Sequence, residues 1–137
     1  MFWDGGHLYV YFTYGMHFCA NVVTGNAGTG EAVLIRAVEP LVGTDLMRKN
    51  RRMDRLHLKG VLELRNLTNG PAKVCQAFDI ARKENGSDLV LGEIILINQE
   101  RIPESCISRS ARIGIRSGLE KQWRFFIKGN HWVSGTR

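Results

Sequence analysis

No stretch of this sequence is apolar for long enough to cross a bilayer as a helix, so a membrane class is not expected. Cysteine is scarce. Cys19, Cys75 and Cys106 stand far apart, without the paired spacing of a zinc site or a dithiol motif, which fits a reducing compartment and core or incidental thiols. Acidic residues are outnumbered, 13 against 19 lysines and arginines, for a net charge of +6. That excess predicts attraction to polyanions and salt-sensitive binding, with a solvated basic face as the plain alternative. The opening residues, Met1-Phe2-Trp3-Asp4-Gly5-Gly6, contain no basic region followed by an apolar one and a cleavage site, so export is not expected. Repeats and low-complexity segments are missing too. A hydrophobic content of 44% and a charged content of 23% are those of a globular protein, and 137 residues make one domain, 1–137, with one modest core.

What is present is an unusual run of aromatic residues. Tyr9-Val10-Tyr11-Phe12-Thr13-Tyr14-Gly15-Met16-His17 reads as an apolar strand running into a Tyr-Gly turn, with a second apolar stretch returning to Asn21. An exposed aromatic ring at the tip of a hairpin on a basic protein can act as a wedge between stacked bases. Tyrosine is also an ordinary strand residue, and Tyr-Gly an ordinary turn.

Beyond a loop at Gly25 to Gly30, Glu31 to Val38 reads as a buried strand carrying one charge, Arg36. A buried guanidinium requires a carboxylate, carbonyl groups or a ligand. Pro40 closes the strand, and Gly43 to Arg55 is expected to be a helix bearing Arg48, Lys49, Arg51, Arg52 and Arg55, a cluster suited to phosphates or simply to solvent. Asn69-Gly70-Pro71 opens a helix over 72–82 that turns Val74, Cys75, Phe78 and Ile80 or Ala81 inward; its start is read as a packing element or as a phosphate contact. Short strands are expected over Leu89 to Asn98, Ile107 to Ile115 and Trp123 to Ile127, with an extended piece at His131-Trp132-Val133. Gly114, inside Arg112-Ile113-Gly114-Ile115, suggests a close backbone approach. Strands outnumber helices. The pattern predicts an α+β domain: a curved, mainly antiparallel sheet with a protruding hairpin and flanking helices.

Five blocks then stand together in order: Tyr9 to Asn21, Ala32 to Leu41, Asn69 to Phe78, Arg112 to Ile115 and Lys128 to Ser134. In sequence and spacing they resemble the 3-methyladenine (alkyladenine) DNA glycosylase family. The resemblance implies hydrolysis of the N-glycosidic bond of alkylated or deaminated purines in base-excision repair, after the damaged nucleotide is flipped from the duplex. It implies double-stranded DNA as partner, a monomer, and neither metal nor organic cofactor. It implies the cytoplasm and nucleoid of a bacterium, or a eukaryotic nucleus. Residue by residue, Tyr14 matches the wedge that enters the minor groove, flanked at the tip by Gly15 and Met16. Tyr11 matches a tyrosine that stacks on the extruded base, and Asn21 an asparagine that crowds the exocyclic amino group of guanine. Arg36 matches an arginine beside the flipped nucleotide and the attacking water, and Ile113 a residue lending that water its main-chain carbonyl.

The same resemblance implies that the family's catalytic glutamate, a second stacking tyrosine and a pocket histidine lie in a segment ahead of Met1-Phe2. The sequence is therefore expected to be the interior of a longer family protein, with no residue here inheriting those roles. Glu31 and Glu39 flank the arginine strand, but neither matches the base. Two alternatives stay open: a shortened protein that binds lesions or minor grooves without cutting, and an unrelated basic structural protein.

Overall fold

The computed structural model describes every residue except 54–59, 100, 119 and 135–137. Among the described residues, two antiparallel sheets and three short α-helices make up an α+β fold. In the first sheet β1 (Leu8–Thr13) pairs with β2 (His17–Thr24), and β2 with β3 (Glu31–Leu34). The helices α1 (Thr44–Asn50), α2 (Val61–Thr68) and α3 (Pro71–Ala77) follow, and then the second sheet, β4 (Ile107–Ser110) against β5 (Arg124–Ile127).

The two-residue period of the first hairpin divides it into a core face and an open face. Leu8 opposite Val22, Val10 opposite Ala20 and Phe12 opposite Phe18 share one side. There Leu8, Val10 and Ala20 are buried with Cys75 of α3, Ile80 and Leu89. A second cluster, Met47, Met53, Leu67 and Ala77, holds the three helices together, so α3 contributes to both. On the opposite side stand Tyr9 across from Asn21 and Tyr11 across from Cys19, and Leu34 of β3 continues the row next to Asn21. A slip of one residue would exchange the two sets, and burial of the core face prevents it.

Several expected elements are shorter than their sequence pattern. β3 stops at Leu34 rather than Val38: Ile35 N–H still donates to Ala20, but Val38 donates to Thr68 at the end of α2 and accepts from the Thr68 hydroxyl. The chain has already left the sheet for the helices, and β3 alternates exposed and half-buried residues instead of being buried. The helix begun near Gly43 ends at Asn50, leaving Arg51 and Arg52 in a turn; Arg55 lies outside the described residues. α3 ends at Ala77, where Asp79 takes a left-handed φ of 54° and Ile80 N–H returns to the Cys75 carbonyl. Phe78 is thereby turned outward, 47% exposed, against its expected place in the core.

Residues 89–98 form no strand: the Asp88 carboxylate accepts the N–H groups of Val90 and Leu91 and winds the chain into a turn. β4 likewise stops at Ser110, and 131–133 is a turn set by the Asn130 side chain, which accepts the Trp132 N–H. A Cβ at Gly114 would meet nothing within 4 Å, so that glycine serves its positive φ of 78° and not a close approach. α2 was not expected, although Val61, Leu64 and Leu67 recur at helical spacing in its sequence.

Candidate functional site

The open face of the first sheet forms one wall of a cleft of about 540 Å³, and Arg112, Ile113 and Ile115 with Trp123 to Phe125 form the other. Tyr11, Asn21, Arg36 and Ile113, far apart in sequence, all line it. Tyr11 and Asn21 arrive by alternation along β1 and β2, and Arg36 follows Leu34 two residues on. Tyr11 stacks on Tyr9 with ring centroids 5.6 Å apart, and the Asn21 side-chain amide donates to the Tyr9 carbonyl at 3.1 Å. Tyr11 is thus held by its neighbour along β1 and Asn21 by its partner across the pair. Burial pushes the Tyr11 phenol and the Cys19 thiol opposite it above their ordinary values, so both stay neutral near pH 7.

The hairpin tip lies apart from the cleft lining. Met16 N–H closes a turn onto the Thr13 carbonyl, and its central residues Tyr14 and Gly15 both have positive φ, 51° and 67°. That is the handedness that matches the twist of the flanking strands. Tyr14 is 82% exposed and Met16 68%, so the tip presents two large apolar side chains to solvent.

Arg36 does not find the partner that a buried guanidinium normally requires. Its Nε is buried without a hydrogen-bond partner, and among the described residues no carboxylate pairs with it. Burial first, and Arg124 second, lower its pKa. Arg124 is anchored differently, donating to the Ser110 hydroxyl at 3.0 Å and to the Ser134 carbonyl at 2.5 Å. With Arg112 on the far wall, the cleft carries three guanidinium groups, and no carboxylate lines it among the described residues. Glu39 lines a neighbouring groove with Arg36, while Glu31 sits at the far end of β3. Arg112 and Arg124 escaped the sequence reading because their place depends on how the two sheets face each other.

The basic cluster near α1 divides between structural contacts and solvent-facing charge. Arg48 pairs with Asp45 at 2.6 Å, and Arg51 donates to the carbonyls of Asn66 and Leu67 at the end of α2. Arg51 is thus a structural cap, while Lys49 and Arg52 make no such contact among the described residues.

The sequence can now be placed. The methylpurine-DNA glycosylase family model matches residues 1–131, and the chain belongs to that family. It is 47% identical over 135 residues to a candidate 3-methyladenine DNA glycosylase of Carboxydothermus hydrogenoformans, covering 98% of this chain and 66% of that protein. A protein of the same description from Chlorobium phaeovibrioides is 46% identical, with 98% and 64% covered. One from Francisella tularensis is 42% identical, with 98% and 67% covered. The chain spans about two thirds of the length of the curated relatives it matches.

Proposed function

We propose that this chain forms the flipping and recognition half of a DNA glycosylase site that releases alkylated or deaminated purines such as 3-methyladenine and hypoxanthine. The observation that carries the reading is the convergence of Tyr11, Asn21, Arg36 and Ile113 on one cleft. Tyr14 enters the minor groove and occupies the space of the extruded nucleotide, with Gly15 allowing the turn and Met16 widening the wedge. The base stacks on Tyr11, whose position is set by Tyr9. Asn21, its amide committed to the Tyr9 carbonyl, is a fixed obstacle to the exocyclic amino group of guanine.

Charge decides the division of labour. Three guanidiniums repel a cationic base but favour phosphate oxygens and a departing purine anion. Arg36 is therefore assigned to the phosphate and water side of the flipped nucleotide, and a cationic alkylpurine is held chiefly by the tyrosine face. The Ile113 carbonyl accepts a hydrogen bond from the attacking water. Positive charge builds on the sugar in the transition state, and the attacking water must give its proton to a general base, which none of the described lining residues supplies. That group is assigned to the family's glutamate segment, which this sequence does not contain.

The test is single-turnover excision of hypoxanthine from duplex DNA at low salt, by this chain and by a version extended at its start with the glutamate segment of the Carboxydothermus relative. A positioned base contributes about a hundredfold to ten-thousandfold, so only the extended form should cut at a useful rate. Equal cutting by the short chain would make one of its own carboxylates the base and overturn the division of roles. Lesion binding by both forms with excision by neither would support the reading as a lesion binder.

A further inference from the structure

Four cation–aromatic contacts occur among the described residues, and all four lie between Arg109 and Phe126. A chain of this length has about two such contacts on average, so the clustering is specific to this segment. Three belong to one face. Arg109 of β4 stands directly across from Phe125 of β5, its guanidinium 5.1 Å from the ring centroid. Trp123 lies two residues earlier on the same side, with Lys121 4.2 Å and Arg112 5.3 Å from its ring. Trp123, Phe125 and Ile127 alternate along the strand and are 56%, 58% and 38% exposed. This sheet face thus leaves a row of aromatic surface in water, framed by cations. From Ile107 to Ile127 the sequence has five basic residues and a single acidic one, Glu120.

We propose that this face of the β4–β5 sheet, where it runs out from the cleft wall, is a stacking platform for single-stranded DNA. Bases stack on Trp123 and Phe125 while Arg109, Arg112 and Lys121 hold the phosphates, a combination that tolerates any sequence because every base has a π face. An apolar protein partner would account for the rings but not for the cations; a polyanion with flat apolar rings accounts for both. The platform is continuous with the cleft, since Arg112, Trp123 and Phe125 also line it. A strand leaving the cleft with its bases unpaired would pass directly onto it.

The test uses the 137-residue chain and a lesion-free fluorescent oligothymidine, so it does not depend on excision or on the glycosylase reading. Anisotropy should show salt-sensitive binding, with Trp123→Ala and Phe125→Ala each weakening it on the order of tenfold. Tryptophan emission should be quenched by the unlabelled oligomer. Trp123→Phe keeps a ring and the fold; it should retain binding but lose the quenching. Full quenching in Trp123→Phe would assign the signal to Trp3 or Trp132 and overturn the proposal, as would wild-type affinity in both alanine variants. Self-association abolished by Phe125→Ala, with no oligothymidine binding, would make the face a contact between two copies and overturn it likewise.

Discussion

Tyr14 occupies a backbone position that suits it poorly. A left-handed φ costs a residue with a Cβ about 1 kcal/mol or more, whereas asparagine and glycine adopt it readily. At φ 51° and 82% exposed, Tyr14 repays that cost with no packing of its own. Tyr14→Asn creates the Asn-Gly pair favoured in such turns, so the thermal midpoint should rise, by roughly 1 kcal/mol of stability, while lesion binding falls. A midpoint that drops would mean the ring supports the hairpin, and unchanged lesion affinity would remove the wedge role. Arg36 presents the same conflict in another form: a charge held partly out of water, with a buried Nε unpaired and Arg124 nearby, fits a ligand better than it fits a core.

The helices illustrate how basic residues divide between binding and structure. α2 ends without a left-handed glycine, since Gly70 after its C-cap is extended, and Arg51 satisfies the carbonyls of Asn66 and Leu67 instead. Hydrogen bonds from a charged donor to otherwise unpaired carbonyls contribute about 2 kcal/mol, aided by the negative end of the helix. Arg51→Ala should therefore lower the urea midpoint by that order. The salt dependence of DNA binding should remain that of the wild type; a shallower salt slope with unchanged stability would instead make Arg51 a phosphate contact. Lys73, donating to the Asn66 and Asn69 side chains, ties α3 to the same helix end.

For the molecule as a whole, α3 is the piece on which both apolar clusters close, and Cys75 lies at that junction. Burial pushes its thiol up to about 12 from an ordinary value of 9.0. In this interval the folded chain holds a proton that the unfolded chain has released, so the protonated form favours the folded state. The contribution is complete below about pH 9 and is lost as pH rises through about 12. Thiol titration at pH 8 should find Cys106, which is exposed, reacting quickly, with Cys19 and Cys75 reacting only on unfolding. Rapid reaction of Cys75 in the native protein would show that the core opens locally.

The hairpin was legible in the sequence because alternation and a Tyr-Gly turn act between near neighbours, and the order of the five blocks carried the family; Tyr11, Asn21, Arg36 and Ile113, expected from those blocks, line one cleft. Element ends were not legible. α3 stops at Ala77 with Asp79 and not a glycine in the left-handed position, β3 leaves its sheet to reach Thr68, and Asp88 winds an apolar segment into a turn. Each of these depends on a hydrogen bond whose partner or geometry has no periodic signature. The charge of the cleft lay further beyond reach. Sequence alone determines that Arg36 follows an apolar strand, but only the facing of two separate sheets brings Arg112 and Arg124 to the same cleft, because electrostatic interaction follows distance in space and not separation along the chain.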